Sequence, residues 1–304
     1  MTKNNLELAG YRVLVTHAHP DDETLFTGGT IAGLSGRGAQ VTVATATLGE
    51  EGEVIGDKFQ HLVADEADQL GGFRIGELDA AVTHLGARSV LLGGPGQFRD
   101  SGMAGSAVHA NPRALVNRVP EAAQLIAQLI DELRPDAVLT YGPDGGYGHP
   151  DHIAVHQATH QALKQAGWAV PRVWWAIYER ELTLGALETL RPPEGWQLPS
   201  AEYLENFTNA GADLKVRLTP AAYQAKRRAM AAHATQIWLG DGTVTETNPE
   251  PAWVQAANPA EVPTGYALSN RLLMPLPRTE SYQLAQGPSL LGEGIRGLLG
   301  ELDS

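Results

Sequence analysis

Six of the ten histidines in this sequence fall within residues 17–19 and 149–160, and four of them belong to two short motifs. The first motif is His17-Ala18-His19-Pro20-Asp21-Asp22-Glu23. The second is Tyr147-Gly148-His149-Pro150-Asp151-His152, with His156 and His160 following at helical spacing. Neither apolar packing nor helix propensity calls for that arrangement, and its chemistry is that of a hydrolytic metal site. A catalytic zinc needs three protein ligands and an open position for water, and His and carboxylate suffice. His19 and Asp22 lie three apart across the start of a helix, so both can point at one centre. His152 supplies a third ligand if the two loops meet. Asp21 is then free to take a proton from the metal-bound water, whose pKa falls to roughly 7. His149 and Tyr147 are the donors available for the oxyanion and the leaving group, and Asp151 could fix the His149 tautomer. A plainer reading makes Asp21, Asp22 or Asp151 simple helix caps. Two matching clusters in matching positions favour a site.

Both loops need a scaffold that brings them together. Val13–Val15 and Val41–Thr45 read as buried strands around a helix at Thr24–Leu34, a right-handed βαβ unit. Further helices are expected at Leu62–Leu70, ending at Gly71-Gly72, at Pro120–Leu133 and at Ile153–Ala166. Strands are expected at Ser89–Leu92, Asp136–Tyr141 and Val173–Tyr178. The succession predicts an α/β chain with a Rossmann-like, doubly wound, mostly parallel sheet. Both histidine clusters would then sit at the carboxyl ends of strands, where open α/β sheets build their sites. The composition shifts near residue 180. Residues 1–180 are read as the catalytic domain, and 181–304 as a smaller C-terminal α+β portion packed on the active-site side, with an amphipathic helix at Pro220–Gln236.

Composition mainly excludes partners. Lys and Arg total 22 against 35 Asp and Glu, so the net charge is −13, and there are no Cys among the 304 residues. An acidic chain without basic blocks argues against binding to nucleic acid or an anionic membrane. The lack of Cys removes disulfide scaffolds, Cys-ligated zinc and cysteine nucleophiles. Glu7 interrupts the N-terminal stretch where a signal peptide needs an apolar run, and no segment approaches the ~18 apolar residues of a spanning helix. Cytoplasmic location is the default reading. His156 and His160 are read as a solvated or hydrogen-bonded helix face, His233 as a packing residue and Trp174-Trp175 as sheet core. His17 is left open between strand packing and a place behind the metal ligands.

Ala18–Glu23 and His149–His152 together resemble the N-acetylglucosaminyl-phosphatidylinositol de-N-acetylase (LmbE-like) family. Residues 47–56, 69–76, 99–105, 145–149 and 232–236 carry the likeness along nearly the whole chain. The resemblance implies a zinc amidase that removes acetate from N-acetylglucosaminyl-inositol in mycothiol biosynthesis, with a small amidosugar as partner. By it the metal ligands are His19, Asp22 and His152, and the base is Asp21. It also implies His149 as electrostatic stabiliser and acid, oriented by Asp151, with Tyr147 reaching the carbonyl oxygen. Arg74, Asp100 and Met103 match substrate-binding positions. His/Asp ligands do not separate Zn2+ from Fe2+. The related alternatives are deacetylation of N-acetylglucosaminyl-malate (bacillithiol pathway) and mycothiol-conjugate amidase activity. A non-catalytic sugar-binding module is the alternative of another class. A nucleotide-dependent oxidoreductase lacks its G-x-G-x-x-G after the first strand.

Overall fold

The computed structural model describes residues 7–287. The first half alternates strand and helix: β1 (Arg12–His17), α1 (Asp22–Gly36), β2 (Gln40–Thr45), α2 (Leu70–Leu85), β3 (Arg88–Leu91), α3 (Val119–Leu133), β4 (Ala137–Tyr141), α4 (Pro150–Gln165) and β5 (Arg172–Ile177). Then come α5 (Arg180–Glu188), β6 (Leu190–Arg191), α6 (Ala201–Phe207), β7 (Leu214–Arg217) and α7 (Pro220–Ala232). Five short strands end the described chain: β8 (Trp238–Leu239), β9 (Gln255–Ala256), β10 (Thr264–Ala267), β11 (Met274–Leu276) and β12 (Thr279–Gln286).

The main sheet runs β3-β2-β1-β4-β5-β12-β7. Its first five strands are parallel, whereas β12 is antiparallel to both β5 and β7. This is the expected mostly parallel α/β sheet, and its sequence explains the burial. Every residue of β4 is buried, as are Val13 to His17 of β1, because helices cover both faces. On α3 the buried stripe is Ala122, Ala123, Ile126, Ala127 and Ile130, with Leu125 and Leu129 at its margin. Strand order reverses between β1 and β4, so the loops after these two strands flank the switch point where such sheets bind ligands.

Two expectations need correction. The helix placed at Leu62–Leu70 is a single turn at Gln60–Leu62, and α2 begins where that helix was to end. Gly71 and Gly72 read as a stop, but Gly71 serves close packing: a Cβ there would lie 2.7 Å from Glu50 Cγ and 3.0 Å from Leu48 Cβ. The stop lies at Gly86, whose left-handed backbone (φ 69°) caps α2. The composition shift near residue 180 also marks no break in the sheet, since β7 and β12 both come from beyond it. That later portion adds a three-stranded sheet, β11-β10-β8, and a small core around Trp196, Leu190 and Trp238. Its expected last stretch, 288–304, lies outside the described residues.

A buried ion pair ties α1, α7 and β12 together. Glu280 accepts from Lys226 Nζ (2.7 Å), the Gly29 and Thr30 N–H groups (2.8 Å each) and the Thr30 hydroxyl (2.7 Å). Lys226 also donates to the Leu25 carbonyl at 3.1 Å.

Candidate metal centre and active site

The turn after β1 carries His19 and delivers Asp22 to the start of α1, and the turn after β4 delivers His152 to the first turn of α4. The three meet. His19 Nδ1 lies 3.4 Å from Asp22 Oδ2, His152 Nε2 lies 3.3 Å from Asp22 Oδ1, and the two ring nitrogens are 3.3 Å apart. Donor atoms on a tetrahedral ion with bonds of about 2.0–2.1 Å stand roughly 3.3–3.4 Å from one another. The two imidazole nitrogens stand at that spacing, each also near one of the two Asp22 oxygens, an arrangement compatible with one small divalent cation. Their outer atoms are held as such ligands require. His152 Nδ1 donates to the Gly145 carbonyl (2.9 Å), and His19 Nε2 lies 3.3 Å from Asp151 Oδ2. Gly145 has φ +67°, and a Cβ on it would lie 2.7 Å from the His152 Cβ. Asp22 Oδ2 accepts from the His19 N–H (2.9 Å) and the Tyr141 hydroxyl (2.7 Å), and the Tyr141 ring stacks on His152 at 4.2 Å. Burial works against a charged Asp22, but His152 and His19 hold its carboxyl well below the usual range.

Two other donor groupings arise from the same cluster, His19 with His149 and His152, and His19 with Asp100 and Asp151, each with atoms within 4.8 Å of one another. All three sets share His19, and the set with Asp22 and His152 uses its Nδ1, the nitrogen not facing Asp100 and Asp151. In addition, His149 Nδ1 is already engaged, accepting the Asp151 N–H at 3.2 Å as the cap of α4.

Asp21 stands beside the cluster in an unusual backbone. Its φ of 113° lies outside the ordinary left-handed well, a strain of about 1–3 kcal/mol, and its side chain makes no capping hydrogen bond. The cap reading of this residue therefore fails. Its carboxylate instead accepts from Arg74 Nη2 at 3.1 Å. Burial pushes the Asp21 carboxyl up to about 7, against the pull of Arg74. Burial, and then the neighbouring His19 and His152, lowers His149 to about 2. His149 is thus a neutral imidazole whose Nδ1 accepts from the backbone, which leaves Nε2 to carry the hydrogen.

Eight of the ten expected residues line one cavity of about 240 Å³: His19, Asp21, Asp22, Arg74, Asp100, Met103, Tyr147 and His149. His152 and Asp151 lie behind its floor, both fully buried. A larger cleft of about 920 Å³ opens beside it, but none of the ten lines that cleft, and converging titratable groups mark the smaller one as the site. Two placements differ from the expected roles. Asp151 turns its carboxylate to His19 and the Ser101 N–H (2.8 Å), so only its backbone N–H orients His149. Arg74 gives its guanidinium to the Pro20 and Gly49 carbonyls and to Asp21, being nearly fully buried. Asp100 lies 3.6 Å from His19 Nε2 and accepts from the Gly102 N–H at 2.8 Å. Met103 is exposed at the cavity mouth, and Tyr147 stacks on Phe207 with ring centroids 5.3 Å apart.

Sequence reasoning missed the other aromatic residues that line the cavity, Tyr178, Tyr203, Phe207 and Tyr266, and it missed Tyr141 behind Asp22. His233, read as packing, is fully buried with Nε2 2.6 Å from Glu23 Oε1. His17 is buried with Nε2 3.0 Å from the Thr27 hydroxyl, and its ring meets the edge of Tyr141. His156 and His160 bond to the Tyr141 carbonyl and the Trp175 indole, as a hydrogen-bonded helix face.

The sequence matches the family described as PIG-L, GlcNAc-PI de-N-acetylase, over residues 14–163, which include all ten expected residues. It is 45% identical over 297 residues to the 1D-myo-inositol 2-acetamido-2-deoxy-alpha-D-glucopyranoside deacetylase of Corynebacterium diphtheriae, covering 95% of this chain and 99% of that one. The chain belongs to the GlcNAc-PI de-N-acetylase family. A second member of the family, the protein of the same name from Corynebacterium glutamicum, is 45% identical over 304 residues, the full length of both. A solved structure of a deacetylase triple mutant of the teicoplanin biosynthetic pathway aligns with a TM-score of 0.48 at 21% identity, covering 91% of this chain and all of that one. Among the described residues no helix is long and apolar enough to cross a membrane.

Proposed function

We propose that this chain is a zinc-dependent N-deacetylase that hydrolyses the acetamide of N-acetylglucosaminyl-inositol, the substrate named for its full-length relatives. The approach of His19 Nδ1 and His152 Nε2 to each other (3.3 Å) and to the two Asp22 oxygens (3.4 and 3.3 Å), beside Asp21, carries the reading. His19, Asp22 and His152 would hold a divalent cation, which would supply Lewis acidity for attack by water. Asp21, with its carboxyl pushed up to about 7, takes the proton from that water, and Arg74 aims the carboxylate. Neutral His149 donates its Nε2–H to the developing oxyanion, joined by the Tyr147 hydroxyl from the same wall. The proton that Asp21 accepts from the water is then available to the leaving amine, which balances the step. Asp100 and Met103 hold the sugar and aglycone at the mouth, and the aromatic wall of Tyr178, Tyr203 and Phe207 packs against the sugar ring.

The test combines metal analysis by mass spectrometry with acetate release from the inositol and malate glycosides of N-acetylglucosamine. Bound zinc and faster release from the inositol glycoside are expected. Absence of both bound metal and acetate release would remove the enzyme reading. A strong preference for malate would overturn the aglycone, and iron as the more active metal would overturn zinc.

A further inference from the structure

Asp21 is strained in a way that its neighbours must enforce. Asp68, Arg134 and Arg271 also have positive φ, but at 48° to 56° they sit in the ordinary left-handed well, whereas Asp21 is at 113°. Its N–H donates to Glu23 Oε2 at 3.0 Å, and its carbonyl accepts from the Thr24 and Leu25 N–H groups at 2.9 and 3.0 Å. The other Glu23 oxygen, Oε1, takes His233 Nε2 at 2.6 Å, and neither Glu23 nor His233 is exposed at all. Glu23 is thus a carboxylate bridge. One oxygen faces the strained backbone, and the other faces the residue that ends α7. His233 Nδ1 has no partner among the described residues, so the imidazole is held by Glu23 alone. If α1 and α7 needed only to pack, apolar side chains would serve at least as well as a buried polar pair.

We infer that His233 is a positioning residue for the Asp21 carboxylate, acting through Glu23. The inference rests on the assignment of Asp21 as the base. His233 fixes the Glu23 carboxylate, Glu23 fixes the Asp21 N–H, and the resulting backbone turns the Asp21 side chain away from the helix start and toward Arg74 and the cavity. Neither residue lines the cavity, so both act at one remove from the substrate.

The experiment uses the metal-loaded full chain and three substitutions. Asp21→Asn first tests the base itself: turnover should fall by orders of magnitude with bound metal retained. His233→Asn keeps a polar side chain but is too short to reach Glu23, whereas His233→Gln places an amide N–H near the Nε2 position. His233→Asn should cut kcat about ten- to hundred-fold, the scale of a ~1 Å misplacement, with KM and metal content unchanged. His233→Gln should recover most of that loss. Added to Asp21→Asn, His233→Asn should lower the residual rate no further, because the two act as one unit. If Asp21→Asn is inactive but His233→Asn keeps its kcat, the positioning role is overturned and the base assignment stands. If Asp21→Asn stays active, the base assignment falls and the inference with it. Parallel loss of kcat, metal and soluble protein in both His233 variants would assign the residue to the fold and overturn the proposal.

Discussion

Tyr141→Phe isolates one hydrogen bond to a proposed ligand. The Tyr141 hydroxyl donates to Asp22 Oδ2 at 2.7 Å and accepts the Ala18 N–H at 2.8 Å, with the ring stacked on His152. Phenylalanine keeps the ring and removes both bonds. A hydrogen bond to a charged group contributes about 1.5–3 kcal/mol, or roughly 10- to 150-fold in an equilibrium constant. Outer partners of metal ligands typically change affinity by about 10- to 100-fold. The His19 N–H still holds the same Asp22 oxygen, so the loss should fall within that range, and the metal dissociation constant should rise about 10- to 100-fold. The orphaned Ala18 N–H adds a separate loss of about 1–3 kcal/mol in the stability of the metal-free chain. Competition with a chromophoric chelator measures the first effect, and thermal unfolding of metal-free protein measures the second. A dissociation constant within twofold of the unsubstituted protein would refute the reasoning, because the hydroxyl would then not be orienting Asp22.

Gly145→Ala forces a Cβ against His152 at a positive φ, so bound metal should fall well below one equivalent while far-ultraviolet circular dichroism stays native; full metal occupancy would count against the Gly145–His152 contact. Glu280→Leu leaves Lys226 buried and unpaired and should cost about 3–5 kcal/mol in urea unfolding, with the Lys226→Met/Glu280→Leu pair costing less. A loss below about 1 kcal/mol would refute it. Burial, and then His156 and Lys164, lowers His160 to about 4 from 6.5, and its Nε2 accepts the Trp175 indole N–H. The unfolded chain therefore binds the extra proton first, and His160 destabilises the fold progressively as pH falls from 6.5 toward 4. His160→Gln keeps an acceptor but does not titrate, so the decline of melting temperature over that window should become shallower; an unchanged slope would exclude the contribution.

The turns that come together were legible in the sequence because each proposed ligand lies within a few residues of a strand end. His19 and Asp22 share one strand–helix turn and His152 opens another, so local spacing and sheet topology together implied the cluster. What supports them was not legible. Tyr141 reaches Asp22 across 119 positions and His233 reaches Glu23 across 210, and no periodicity encodes such pairs. Asp151 was expected to serve His149, two residues away, but α4 aims its carboxylate across the switch point at His19. The α2 boundary failed for a related reason: a glycine needed for contact with Glu50 looks, from sequence, like a glycine needed for a stop.

The position of β12 has a consequence for how the chain is made. It enters the sheet between β5 and β7, and among the described residues β7 has no other neighbour there. Roughly 100 residues separate β5 from β12, so at about 5–20 residues per second the ribosome leaves the β5 edge open for something like 5–20 s. An open, apolar edge strand invites pairing with other nascent chains. Throughout that interval Glu280 has not arrived to bridge Lys226 of α7 to the Gly29 and Thr30 N–H groups of α1, so the helix that ends at His233 lacks that tie. Chains halted before Thr279 should therefore turn substrate over slowly even with metal bound and require a holdase to stay in solution, so that full activity is acquired late in synthesis.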